Sequence, residues 1–428
     1  MILSSCITGV DYNYSRIKEN VSQGNYTAAE QEIEENSRYI YSSGDLVLKN
    51  LDLGLLCHFS GQNQISNQYL KEAEDLIFAY YSKSISQEIA SAFINDNSKD
   101  YSGSDYEDVY TNIFMALNYL HQNKIEDVLV ESRRFDNKLR EASRRYADFL
   151  EKSERNSKIP NSAIKQENVI FHNSALARYI SMIAYLSCGD FNSARTDKNL
   201  IEQAFKKQPL LYNFKIPSSL EQEFSVPEDM QRLNFIAFSG LAPEKKEEII
   251  RSYDPISELY FKLALPVLVK RQDSTKKIRV TVSSKGKRDQ IFYLEKIESI
   301  ENIATDTFKR QKSLAYTRAF MRSFAKLAIN AGLGLASKTS NDSNESLLFE
   351  FMRLGSTIAT EITERADIRY AKFFPASAYV GGINLAEGTY SVKIDYLASS
   401  SAVLKSFYYP DFYISEEKIN FIESAYLN

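Results

Sequence analysis

The chain has no tryptophan, three cysteines, three histidines, and only 15 glycines and 9 prolines in 428 positions. So little glycine and proline excludes a collagenous or low-complexity chain. No run approaches 18 apolar residues, which excludes a transmembrane helix from this sequence. Charge of one sign is missing too. With 52 basic and 56 acidic residues the net charge is −4, too balanced for a general nucleic-acid binder. The cysteines form no C-x-x-C pair and no Cys/His ligand spacing, so no metal is expected. No cofactor is expected either. There is no His-Glu-x-x-His, no Gly-x-Ser-x-Gly and no phosphate loop ending in Gly-Lys-Ser/Thr. Ser284-Lys285-Gly286-Lys287 lacks the leading glycine and the helix such a loop requires. Gly332-Leu333-Gly334 falls late in a helical stretch and reads as a helix end or a close-packing site. His58, His121 and His172 lie in separate helical segments, where structural roles are expected.

What the sequence does have is aromatic mass, 28 Tyr and 25 Phe in a chain 43% apolar, enough for a large core without disulfides. Its length suggests two to three domains. Gly24-Asn25-Tyr26-Thr27-Ala28-Ala29 recurs as Cys188-Gly189-Asp190-Phe191-Asn192-Ser193-Ala194. A third copy runs from Gly54 through Gly61 to Tyr69-Leu70 and Ala73, and a looser one from Ala116 to Leu129. A turn glycine, an aromatic and then alanine is the grammar of stacked helix-turn-helix units of tetratricopeptide type. Ser104-Asp105-Tyr106-Glu107 has the form of a helix-opening capping box. After Pro209, alternating segments replace helical periods, and Ser283 to Arg288 marks a hairpin turn. The expected fold class is α+β. A tether at 1–10 precedes a tetratricopeptide-like superhelix at 11–208 and a proline-punctuated connector at 209–257 whose short strand is Leu233 to Phe238. An α+β domain at 258–428 follows, with antiparallel strands, two long helices (about 300–335 and 345–366) and a short terminal helix after Ser415.

Cys57 and Cys188 sit in apolar helical patterns and read as small buried hydrophobes. Cys6 differs. Leu3-Ser4-Ser5-Cys6 has the form of a lipobox, an apolar residue and two small ones before the cysteine that takes the diacylglycerol. Five residues cannot supply the basic and apolar regions of a signal sequence, so this reading expects a start upstream of Met1.

Several motifs point together. Tyr106-Glu107-Asp108-Val109 with Asn112 and Ala116-Leu117-Asn118-Tyr119, Glu131-Ser132-Arg133-Arg134, Ser239 to Lys245, Pro266 to Val269, Ala366-Asp367-Ile368-Arg369, Phe374-Pro375-Ala376 and Gly388 to Val392 keep their order along the chain. In this the chain resembles a family of uncharacterised bacterial envelope lipoproteins with tetratricopeptide-like N-terminal halves; Tyr370 departs from that pattern. The resemblance implies a periplasmic, outer-membrane-linked protein attached through Cys6, and no established activity.

The function expected is therefore non-catalytic: a scaffold or adaptor that binds envelope proteins through its helical repeats and the membrane through a lipid. The alternatives are a cytosolic repeat scaffold in which Cys6 is a plain residue, and an enzyme acting on an envelope polymer. Asn112, Asn118, Tyr119, Arg133 and Arg134 are the candidates for partner contact or inter-repeat bracing, with Asp367 and Arg369 pairing or contacting a neighbour. Lys276, Lys277, Arg279, Lys285, Lys287 and Arg288 form a basic hairpin suited to an anionic surface. Only Phe292 and Tyr293 interleave with them, too few for nucleic acid.

Overall fold

The computed structural model describes residues 14–91, 100–155, 168–254, 259–330 and 366–428. Its N-terminal part is built of helical hairpins: α1 (Ser15–Ser22) with α2 (Tyr26–Ile40), α3 (Leu46–Phe59) with α4 (Asn63–Ser91), α5 (Asp105–His121) with α6 (Ile125–Arg155), and α7 (Ala175–Ser187) with α8 (Phe191–Lys207). One turn serves all four. Gly24, Gly61, Asn123 and Gly189 each take a positive φ, between 54° and 80°. Each stands two residues past one helix and two before the next. The residue after the left-handed one donates its N–H back into the last turn: Asn25 to Asn20, Gln62 to Cys57, Lys124 to Tyr119 and Asp190 to Tyr185, at 2.7–2.9 Å. Only glycine or asparagine fits that backbone without strain, so the glycine spacing marks the hairpins in the sequence.

Packing separates inner from outer helices. In α3 and α5 nearly every residue is buried, whereas α8 buries only Ala194, Asp197, Ile201 and Ala204. The outer helices are thus amphipathic, each with one stripe on its inner partner. Helix α6, although rich in charge of both signs, belongs to this class, since it inserts Val128, Phe135 and Leu139 into the core. Gly54 lets α3 and α4 touch, because a Cβ there would stand 2.7 Å from Leu70.

The C-terminal part is a seven-stranded mixed sheet in the order β8-β7-β4-β5-β6-β1-β9, curled until it is nearly closed. Its strands are β1 (Gln231–Leu241), β4 (Lys277–Ser283), β5 (Gln290–Ser299), β6 (Pro375–Leu385), β7 (Gly388–Leu397), β8 (Val403–Ile414) and β9 (Asn420–Tyr426). A separate ribbon pairs β2 (Glu244–Asp254) with β3 (Leu259–Val269), and α9 (Ile300–Asn330) continues directly from β5. Inside the curl lie Phe235, Val280, Val392 and Tyr396. On the other face of β1, Ile236 and Phe238 meet the helices in one core that runs from Ile17 to Leu427. Phe114 is at its centre, with ring centroids 5.5 Å from Phe238, 5.7 Å from Phe59 and 5.9 Å from Phe374.

The chain is therefore α+β as expected, helical first and sheet-forming second, with several corrections. Residues 209–257 are more than a connector. Their strand extends over Gln231–Leu241 and lies between β6 and β9; burial on both faces explains why its run lacks alternation. The charged Glu244–Asp254 segment forms a strand because β3 pairs with it throughout. The sheet is not purely antiparallel, since β9 runs parallel to β1. That pairing also replaces the expected terminal helix. The Ser415 hydroxyl accepts only a local turn bond from the Glu417 N–H, and the chain then enters β9. The second long helix, about 345–366, lies outside the described residues except for Ala366, which belongs to no helix.

Candidate functional site

Three of the separated sequence motifs meet where the N-terminal end of α5 faces the β1–β2 corner. Glu107, in the first turn of α5, is fully buried. Its carboxylate accepts the Tyr101 hydroxyl at 2.6 Å, the Ser104 N–H at 2.7 Å and the Ala371 N–H at 2.7 Å. Asp367 pairs with Arg369 at 2.8 Å, and Arg369 reaches Asp45 at 3.1 Å. The Ala242 N–H donates to the Phe374 carbonyl at 2.8 Å. Lys245 is buried beside them, its ammonium 3.5 Å from the Tyr101 hydroxyl. Burial pushes that ammonium below its ordinary pKa, against the pull of Glu107 and Asp367. Nearby, Asp52 accepts the Lys372 N–H at 2.7 Å and the Tyr41 hydroxyl at 2.8 Å. Burial raises its carboxyl to about 6 even with the Lys372 ammonium close by. The effect is mechanical: residues 366–374 are strapped to the helix array by acceptors on α3 and α5.

A second cluster joins α3, α5 and β9. His58 Nε2 lies 2.6 Å from one oxygen of Glu423, and His121 Nε2 lies 2.8 Å from the other. The hydrogen-bond chain fixes the protons. The Asn118 amide donates to Ser66 Oγ and to Asn67 Oδ1, and the Ser66 hydroxyl passes on to the Gly54 carbonyl. Asn118 Oδ1 must then accept from His58 Nδ1, 2.7 Å away. With Nδ1 protonated and Nε2 facing a carboxylate, His58 is an imidazolium. Burial pushes the His58 pKa down, but the Glu423 charge and the two ring hydrogen bonds outweigh it and leave it above the usual value. Burial would raise Glu423, yet the two imidazoles hold it down at about 2. Two of the three histidines, expected to act separately, thus converge on one carboxylate.

The described residues also form a cleft of about 400 Å³ between the turns of the last two hairpins, the 3-10 turn Ser218–Phe224 and the start of β9. Ile125, Ile183, Leu186, Phe191, Phe224 and Ile419 supply its apolar wall. Its polar floor bonds internally. Arg232 pairs with Glu223 at 3.1 Å, and Asn234 donates to Glu223 at 2.7 Å and to the Tyr179 hydroxyl at 3.1 Å. Phe191 is half exposed at the lip, beside Cys188, which is exposed rather than buried.

The structure places the expected site residues as follows. Asn112 and Asn118 are fully buried braces; Asn112 donates to Glu74 at 3.0 Å and to Glu131 at 2.6 Å. They join α4, α5 and α6 and face no solvent, which corrects any partner-facing reading of these two. Tyr119 is half-buried under Lys124, Arg133 is exposed, and Arg134 pairs with Glu131 at 3.3 Å. Asp367 and Arg369 pair with each other. On the hairpin, Arg279 pairs with Asp395 at 2.7 Å and Lys276 bonds the Asp273 carbonyl. Lys277 lies over the Tyr293 ring, and Lys285, Lys287 and Arg288 are exposed around the turn. Cys6 lies outside the described residues. Among the described residues no group of His, Cys, Asp and Glu side chains is arranged to hold a metal, and no helix is long and apolar enough to cross a membrane. Sequence reasoning missed Glu423 and Glu298, whose partners lie far away in the chain, and Arg232, although its partner Glu223 is only nine residues before it. No protein-family model, curated protein or solved structure matches the chain.

Proposed function

We propose that the chain is a non-catalytic scaffold of the bacterial cell envelope. Its hairpins act as tetratricopeptide-type repeats, a partner protein binds at the cleft, and a lipid on Cys6 holds it to the outer membrane on the periplasmic side. The observation that carries this reading is the cleft, which offers an apolar wall at the hairpin turns while Arg232 and Glu223 on its floor are paired with each other. Such a surface suits an apolar side chain of a partner better than it suits bond-making chemistry. The test is photo-crosslinking in the native host from a reactive phenylalanine analogue at position 191, with the same probe at exposed Tyr39 on α2 as control. A discrete adduct from 191 alone, abolished by Leu186→Asp, supports the scaffold; equal labelling from both positions removes the cleft from it. Palmitate labelling lost in Cys6→Ser supports the anchor, and an unlabelled soluble protein moves the scaffold to the cytosol.

A further inference from the structure

The outer face of the curled sheet carries a surface unrelated to the cleft. Strand register sets its residues in rows. One row runs Tyr408, Lys393, Thr281, Ile291 and the next Ser406, Asp395, Arg279, Tyr293 across β8, β7, β4 and β5. Four strands spaced at about 4.8 Å make this face roughly 15 Å wide. Ile291 is 60% exposed, Tyr293 51% and Tyr408 63%. Large side chains so exposed on one sheet face mark an interaction surface when basic groups rim them. Here both conditions hold.

The charge around them is mostly basic, with the exposed Asp289 beside the turn and the paired Asp395 as acids among them. Asp395 is bonded by Arg279 at 2.7 Å and by Lys393 at 3.0 Å, so two cations share one anion. Lys277 stands over the Tyr293 ring, and Lys285, Lys287 and Arg288 surround the exposed turn beyond Ile291. The whole chain is net acidic at −4, so this basic face gives the molecule a dipole that orients it toward an anionic surface. Tyrosine and isoleucine within a lysine rim suit a lipid headgroup layer, where an amphipathic ring buries its body and leaves its hydroxyl wet. A face with so few aromatics offers no stacking platform for single-stranded nucleic acid.

We propose that the outer face of β4, β5, β7 and β8 docks on a membrane surface rich in anionic phospholipid, with Lys285, Lys287 and Arg288 on headgroup phosphates and Ile291 and Tyr293 at the acyl boundary. The proposal stands apart from the cleft and from Cys6. Its test uses the full chain carrying Cys6→Ser, so that no acyl chain contributes, and co-sedimentation with phosphatidylethanolamine/phosphatidylglycerol vesicles against pure phosphatidylcholine vesicles. Binding to the anionic vesicles alone is expected, weakening as salt rises. The triple change Lys285→Glu, Lys287→Glu, Arg288→Glu is expected to weaken it on the order of 100-fold. Ile291→Ser with Tyr293→Ser is expected to cost about tenfold. All five side chains are exposed, so an unchanged thermal midpoint verifies that each variant is folded. Equal binding to both vesicle types, or none, overturns the proposal. So does undiminished vesicle binding by the Ile291→Ser, Tyr293→Ser variant together with equally tight binding of soluble heparin, which would make the face a general polyanion site.

Discussion

The tripeptide Ile-Glu-Ser occurs twice in the sheet, as Ile297-Glu298-Ser299 on β5 and as Ile422-Glu423-Ser424 on β9. Both glutamates are buried against the helix array, yet their environments are opposite. Glu298 is met by neutral donors: the Tyr110, Ser174 and Tyr212 hydroxyls and the Leu176 N–H in the first turn of α7. Burial raises its pKa, and those hydrogen bonds recover only part of the cost. Glu423 is met by two imidazoles and is held down at about 2. The comparison teaches that a buried acid is ionised by counter-charge more effectively than by several hydrogen bonds. It also shows two ways of tying sheet to helices, one through hydroxyls and a helix N-terminus, the other through an ion pair.

Removing one carboxylate at a time should break the symmetry. Glu423→Gln leaves a buried imidazolium without its counter-ion, and a loss of about 3 kcal/mol in urea unfolding is expected. Glu298→Gln keeps an acceptor for the Leu176 N–H, and the hydroxyls can rotate. A loss below about 1 kcal/mol is expected at neutral pH. Comparable losses in the two variants would refute the distinction.

The pH dependence sharpens it. Glu298, with its folded pKa raised above 4.5, contributes stability that is complete below about 4.5 and is lost as pH rises through the folded value. Glu423 contributes stability that is complete above about 4.5 and is lost as pH falls toward 2. His58, raised above 6.5, contributes below about 6.5 and loses that contribution as pH rises through its folded value. Unfolding free energies measured between about pH 3 and 9 should therefore show the Glu423→Gln penalty shrinking at both ends of the range. Wild type should lose ground to Glu298→Gln only as pH rises.

A more local effect belongs to β9, which side chains of β8 and α2 hold by hydrogen bonds to its backbone. The Tyr409 hydroxyl donates to the Glu423 carbonyl at 2.9 Å and the Tyr26 hydroxyl to the Ala425 carbonyl at 2.8 Å. Tyr409→Phe and Tyr26→Phe should each cost about 1 kcal/mol. Hydrogen exchange of the β9 amides should quicken in both variants before the β1–β6 amides respond.

Which features the sequence revealed follows from distance along the chain. The hairpin turns are written locally in Gly24, Gly61 and Gly189, and the β4–β5 hairpin in Gly286, all at positive φ. The motif residues Glu107, Lys245, Asp367 and Arg369 were visible as motifs, but not as one junction. Glu423 could not be read at all: its partners His58 and His121 lie 365 and 302 residues away, and nothing in Ile-Glu-Ser separates it from Glu298. Parallel pairing of the last strand with β1 is equally non-local, so a terminal Ser-Glu-Glu read as a helix cap. The sequence marks Asn112 and Asn118 only as candidates for partner contact or inter-repeat bracing. Their role as braces comes from packing, of α4 and α6 on Asn112 and of α3 and α4 on Asn118.

These ties join the sheet, whose outer face is basic, to the helix array. The most direct measurement of the account is the separate titration of the two buried carboxylates by carbon-detected NMR, with side-chain carboxyl signals assigned through Glu298→Gln and Glu423→Gln. Glu423 is expected to remain ionised down to about pH 2, while Glu298 titrates above the ordinary glutamate value of 4.5. Two overlapping titrations near 4.5 would contradict it, and with it the assignment of His58 as an imidazolium.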